Sequence, residues 1–325
     1  MKPNIRMLTP VLFLLMAMTL SGCGEQFIVL DPKGPIGESQ KDLIYITTLL
    51  CAVVIVPVLI LSAIIIWRYR DRPGRKAAYT PEWEHSTKLE IVWWGIPIII
   101  ILILGVVTVK YTYELEPSKP IVSEKEPVTI QVTSLDWKWL FKYPEEGIAT
   151  VNYLKIPEDV PVKFQLTSDK AMNSFWIPQL GGQIYTMSGM AMTLFLQADE
   201  PGSYYGSGAN FNGKDFAKMT FKVDATSEEG YQAWINEVKG TSPALTMDGY
   251  EKLTEPGSSE TLLFSSFPEG LFEKVVTQYV NGDGGAHQHH GGDTAEQEDE
   301  AAEADDSASP DSTGTESNAH HHAGH

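Results

Sequence analysis

Two long stretches without a charge, followed by a zone of short alternating runs, organise this chain. Residues 44–67 contain no Asp, Glu, Lys, Arg or His, and residues 91–109 form a second such stretch that includes the run Ile-Pro-Ile-Ile-Ile-Ile-Leu-Ile-Leu from Ile96 to Leu104. At about 1.5 Å per residue, helices of these lengths cover a hydrocarbon core of ~30 Å. The pattern therefore predicts two transmembrane helices, over 44–67 and 89–112. Trp67, Trp93, Trp94, Tyr111 and Tyr113 stand at their ends, where amphipathic rings favour the headgroup layer. Pro57 and Pro97 lie inside the spans, which membrane helices tolerate when neighbours satisfy the freed backbone groups.

From 120 to 225 the period shortens to two. Val128–Val132, Thr150–Leu154, Val162–Leu166, Met192–Leu196 and Met219–Val223 alternate polar and apolar positions and are rich in β-branched and aromatic residues. Strands of this kind, separated by Pro, Gly and Asp, predict an antiparallel β-sandwich or barrel. Over 226–280 the period returns to that of a helix. Thr226-Ser-Glu-Glu229 has the form of a capping box, opening a helix with Tyr231, Trp234, Ile235 and Val238 on one face and Gly240 at its close. Helical stretches follow at 248–253 and 269–279. Residues 281–325 carry almost no large apolar side chain and cannot bury enough surface to offset the entropy of ordering, so a disordered acidic, His-rich tail is expected.

The start of the chain has its own pattern. A short basic region with Lys2 and Arg6 precedes an apolar run from Met7 to Leu20 and then Ser21-Gly22-Cys23. This is a secretory signal, residues 1–22, rather than a span. Leu-Ser-Gly-Cys resembles a bacterial lipobox, and the resemblance implies that Cys23 is lipidated and begins the mature chain. Residues 23–43 would then be an external segment with a lipid anchor. Arg68, Arg70, Arg72, Arg75, Lys76 and Lys88 crowd the connection 68–88, which the positive-inside rule places in the cytoplasm. The β domain is then on the outer face of the plasma membrane, on the same side as Cys23. Cys51, within the first span, has no partner there, and two cysteines exclude a disulfide framework.

Charge changes the picture less than its total suggests. The formal net charge is −18, but residues 283–325 hold eleven Asp and Glu and no Lys or Arg, leaving −7 for everything else. Nothing in this balance points to nucleic acid. Seven of the eight histidines lie in the tail, at 287, 289, 290, 320, 321, 322 and 325; they read either as solvated residues or as ligands for divalent metals. The eighth is His85, a loop residue to which the sequence attaches no role. Between Ser86 and Ala286 there is neither a cysteine nor a histidine, so the β domain has no thiolate or imidazole with which to hold a metal.

Several stretches resemble one family, subunit II of the haem–copper respiratory oxidases. They are Lys88-Leu-Glu-Ile-Val-Trp-Trp-Gly-Ile-Pro97, Gln131-Val-Thr-Ser-Leu-Asp-Trp-Lys-Trp-Leu-Phe141, Asn173-Ser-Phe-Trp-Ile-Pro-Gln-Leu-Gly181 and Pro201-Gly-Ser-Tyr-Tyr-Gly206. The resemblance implies a cupredoxin-like sandwich behind the helical hairpin. In copper-bearing members, six positions contact a dinuclear copper centre. Here those positions are Asn173, Gly208, Asn210, Asn212, Phe216 and Met219, of which only Met219 keeps the family's residue. Loss of the copper ligands resembles the quinol-oxidising branch, as do the segments Asp248–Pro256 and Phe264–Val276. The resemblance thus implies a non-redox subunit of a proton-translocating quinol:oxygen oxidoreductase, with no cofactor in this chain. Haems and copper would belong to subunit I, subunits III and IV would be further partners, and a membrane quinol, menaquinol or else ubiquinol, would be the donor.

By the same resemblance Glu90 matches a carboxylate at the mouth of a proton pathway into subunit I, although a glutamate in a first helical turn is also favoured by the helix dipole. Trp137 and Trp139 match aromatics near which electrons arrive in the copper-bearing relatives; without copper they read as core or interface packing. The alternative from a different class is a free-standing membrane lipoprotein whose external domain binds a solute or a metal.

Overall fold

The computed structural model describes residues 27–70, 82 and 84–279. The signal region, Cys23 and the acidic His-rich tail lie outside the described residues.

Two helices come first: α1 (Pro35–Tyr69) and α2 (Thr87–Glu114), each long and apolar enough to cross a membrane. Both turn their apolar length outward, with Leu59, Ile66, Ile101 and Val106 exposed; such surface needs lipid or a partner to cover it. Pro57 and Pro97 lie within these helices. Helix α1 begins well before the uncharged span, because Pro35 at its first position is pre-set for helical φ and gives up an N–H that would be unsatisfied anyway. Its extra first turns lie against the β domain. The amides of Lys33 and Gly37 donate to the carbonyls of Gln179 and Leu180 at 2.7 and 3.1 Å, and Asp199 N donates to Lys33 O at 2.9 Å. The approach is close: a Cβ on Gly34 would stand 2.0 Å from the Gln197 carbonyl oxygen. Lys33 Nζ adds an ion pair with Glu200 at 2.9 Å.

The domain that follows is a sandwich of two sheets. The first has the order β11-β3-β2-β1-β5-β8 and the second β4-β10-β9-β6-β7. The strands are β1 (Val128–Leu135), β2 (Lys138–Tyr143), β3 (Ile148–Val151), β4 (Tyr153–Pro157), β5 (Val162–Ser168), β6 (Asn173–Trp176), β7 (Ile184–Thr186), β8 (Met192–Leu196), β9 (Gly202–Gly208), β10 (Thr220–Thr226) and β11 (Leu262–Phe264). Most pairings are antiparallel, as the short alternating runs predict. Two are parallel, β1 with β5 and β10 with β4, where the chain returns from the opposite sheet rather than through a hairpin. The single strand expected over 150–154 is broken. Asn152 takes φ 54°, a left-handed conformation asparagine tolerates, and sends β3 and β4 into different sheets. Its side chain fixes the corner, accepting from Trp139 N at 2.9 Å and donating to Ser259 O at 2.8 Å.

Between the sheets lies an aromatic core. Trp139 meets Phe175 edge-on at 5.3 Å, and Phe175 stacks on Phe221 at 5.2 Å. Helix α3 (Glu228–Thr241) closes one end with Tyr231, Trp234, Ile235 and Val238. Its cap is Ser227, whose Oγ accepts from Gly230 N at 3.3 Å. Thr226, expected as the capping residue, instead ends β10, and Gly240 lies within the helix rather than ending it. Helices α4 (Met247–Leu253) and α5 (Leu271–Thr277) cover the outer face of the first sheet. There Leu135, Leu140, Ala149 and Val151 are buried with Leu245, Tyr250, Leu253, Leu271 and Val275 in a second core.

Candidate functional site

The loop 208–219 joins β9 to β10 and is stitched at both ends. Gly208 N donates to Met219 O at 2.9 Å, and Ala209 N donates to Ser174 O at 3.0 Å. Its wall is the β1–β2 hairpin, whose turn holds Trp137 at φ 62°. A bulky aromatic in the left-handed region is strained by roughly 1–3 kcal/mol, so the surroundings must fix it there. The indole lies over Gly213, where a Cβ would stand 3.2 Å from Trp137 Cζ2 and where φ is +118°. Trp139, two residues on, is fully buried in the aromatic core, and the half-buried Trp137 packs against that same core. One of the two matched tryptophans therefore fills the core and the other lies between the core and the loop.

Asn173, Asn212 and Met219 meet beneath that loop. Asn173 is 1% exposed. Its Nδ2 donates to Ser134 Oγ at 3.1 Å and to Ala171 O at 3.0 Å. Its Oδ1 accepts from Asn212 Nδ2, which also lies 3.1 Å from Met219 Sδ. Ser134 Oγ bonds Thr186 Oγ1 at 2.9 Å, and Thr186 returns to the Asn173 carbonyl at 3.3 Å. The remaining positions turn elsewhere. Asn210 Nδ2 donates to Met172 O at 3.2 Å, and Phe216 packs edge-on against Phe211 at 5.8 Å. Gly208 contributes backbone alone. The cluster thus offers two carboxamides and one thioether, with the amide donors already engaged. Among the described residues, no group of three or more His, Cys, Asp or Glu gathers as a metal site would require.

Glu90 sits far from this cluster in sequence, in the first turn of α2, with its amide donating to Ser86 O at 2.9 Å. Its carboxylate is not alone. His85 Nδ1 lies 2.7 Å from Glu90 Oε1. No pattern along the chain signals this pair, because His85 precedes the helix and helical spacing does not predict the contact.

Two segments match family models: residues 123–226 match the periplasmic domain of cytochrome c oxidase subunit II, and residues 239–283 match the aromatic-rich motif of the same oxidases. The fold and these segments place the chain in the class of oxidase subunit II proteins. It is 45% identical over 280 residues to the cytochrome bo(3) ubiquinol oxidase subunit 2 of Pseudomonas aeruginosa, covering 85% of this chain and 84% of that protein. It is 47% identical over 274 residues to the quinol oxidase subunit 2 of Bacillus anthracis, covering 84% of this chain and 94% of that one. Among solved structures, the periplasmic domain of subunit II of cytochrome oxidase of Bradyrhizobium japonicum superposes with a TM-score of 0.35 at 21% identity, over 37% of this chain and 98% of that one. The chain belongs to the quinol oxidase subunit 2 family.

Proposed function

We propose that this chain is the subunit II of a membrane quinol:oxygen oxidoreductase and supplies no redox centre of its own. The observation that carries this reading is the Asn173–Asn212–Met219 contact at the positions that hold copper in copper-bearing relatives. A dinuclear copper centre takes two bridging thiolates and two imidazoles. Two carboxamides, Asn212 donating to the Asn173 oxygen, and one thioether do not fit it. Electrons then reach subunit I, with its haems and copper, from a quinol within the membrane, menaquinol, without passing through the β domain. Subunits III and IV complete the complex.

The lipid and the charges support one orientation. Cys23 stands shortly before the segment hydrogen-bonded to the β domain, so its lipid, that segment and the domain share the outer side. Arg68 and Arg70, at the far end of α1, face the cytoplasm, as does Glu90 at the mouth of a proton pathway. Mass spectrometry of the purified chain should find a diacylglyceryl cysteine at its N-terminus; an unmodified Met1 would remove the anchor from this account.

The assembled complex decides the function. Oxygen uptake is expected with reduced quinol and not with reduced cytochrome c, and metal analysis of this subunit should find no copper. Turnover on cytochrome c, or isolation of the chain alone without haem-bearing partners, is the result that favours the free-standing lipoprotein. Glu90→Gln should slow quinol-driven turnover, and unchanged turnover would remove Glu90 from proton uptake.

A further inference from the structure

The side chain closed onto Glu90 is the one histidine outside the tail. We propose that His85 is the proton-collecting partner of Glu90, a positioning and relay residue that loads the carboxylate from bulk water; this rests on the assignment of Glu90 to proton uptake made above.

Two features support it. The contact is short, with Nδ1 and Oε1 2.7 Å apart, within the range of a charge-assisted hydrogen bond. The two groups also differ in their access to water: the His85 side chain is 86% exposed and that of Glu90 37%. The imidazole therefore stands on the bulk side of the carboxylate. Among the described residues, the other charged groups at this end of the helical hairpin are Glu82 and Glu84 before the histidine, Lys88 just after it, and Arg68 and Arg70 closing α1.

The transfer balances without any co-reactant. The Nδ1–H bond of the imidazolium breaks as an O–H bond forms at Glu90 Oε1, leaving a neutral ring and a neutral carboxyl group. The carboxyl passes its proton inward. The exposed ring swings into water and regains a proton at the nitrogen that lost it. No electron pair leaves either group, and the pair returns to its starting charge.

The test uses the assembled oxidase, with quinol-driven oxygen uptake measured from pH 6 to pH 9 for the native complex, His85→Gln, Glu90→Gln and the double variant. His85→Gln should match the native enzyme near pH 6 and fall below it by a factor of about three to ten at the alkaline end, where protons are scarce. Added imidazole buffer should restore the lost rate. In the Glu90→Gln background, His85→Gln should change nothing further. If Glu90→Gln slows turnover while His85→Gln tracks the native enzyme at every pH, the relay is overturned and the role of Glu90 stands. If His85→Gln slows turnover equally at all pH without imidazole rescue, the histidine is only structural and the relay is overturned. If Glu90→Gln is itself without effect, the underlying assignment falls first, and the relay with it.

Discussion

Asn173 uses both N–H donors and its carbonyl oxygen inside the fold, on Ser134, Ala171 and Asn212. In a buried position that makes it a structural hub. Asn173→Ala takes the oxygen partner from the Asn212 amide and one donor from the buried Ser134 hydroxyl, while the Ala171 carbonyl keeps Ser168 Oγ, so the cost should be about 1–3 kcal/mol in total. Chemical denaturation of the full chain in detergent should register a loss in this range, and a loss below about 0.5 kcal/mol would mean that water replaces the amide easily. At this scale the sequence specified which residue types stand at positions 173, 208, 210, 212, 216 and 219. It could not specify that Asn173, Asn212 and Met219 touch while Asn210 and Phe216 turn away, because those directions depend on the path of a loop pinned by Trp137. The His85–Glu90 pair was illegible for a similar reason, since it forms between a loop residue and a helix start.

Lys142, on β2, belongs to the scale of the element. It is fully buried, and its Nζ lies 4.8 Å from the centre of the Phe272 ring on α5. Burial lowers its pKa from 10.5 to about 7, against a smaller opposing pull from Glu273. The folded state therefore releases a proton that the unfolded chain holds. Stability should rise with pH between about 7 and 10.5, where the unfolded state binds more protons, and level off below about 7. Lys142→Met keeps the packing volume without the ammonium. It should flatten that slope and raise stability at neutral pH by about 1–3 kcal/mol; melting curves recorded across this window check both. A second element-level expectation is Ser227→Ala, which removes the cap of α3 and should cost about 1 kcal/mol in the same assay. Lys138 and Lys142 stand with Leu140 on the outer face of β2, and no pattern in the sequence marks that face as covered. The covering helices were visible, as short helical periods. What the pattern did not carry was their union, because an outward face is buried only when a segment more than a hundred residues later folds back over it.

At the scale of the whole molecule, the segment before α1 ties the helical hairpin to the β domain. Ser39 Oγ, near the start of α1, also reaches Glu114 at the end of α2, at 3.0 Å, so both helices are held at the edge of the domain. Gly34→Ala places a methyl against the Gln197 carbonyl and should cost about 1–3 kcal/mol through displacement of backbone. Hydrogen exchange should report it as lost protection at the amides of Lys33 and Gly37, while the amides of β1 and β2 keep theirs. Unchanged protection at Lys33 would mean that the lysine ion pair, not the close approach, holds the segment. The sequence by itself determined the two apolar helices, the period-two β zone, the helical extension and the absence of thiolate and imidazole from the domain. Each of these follows from local composition or periodicity, which needs no knowledge of neighbours. Tertiary structure alone decided the corner at Asn152, the parallel pairings, the second core, the amide–thioether cluster and the closure of His85 onto Glu90. All of these join residues distant in sequence or differently oriented, and only the folded chain fixes which side chains share a space.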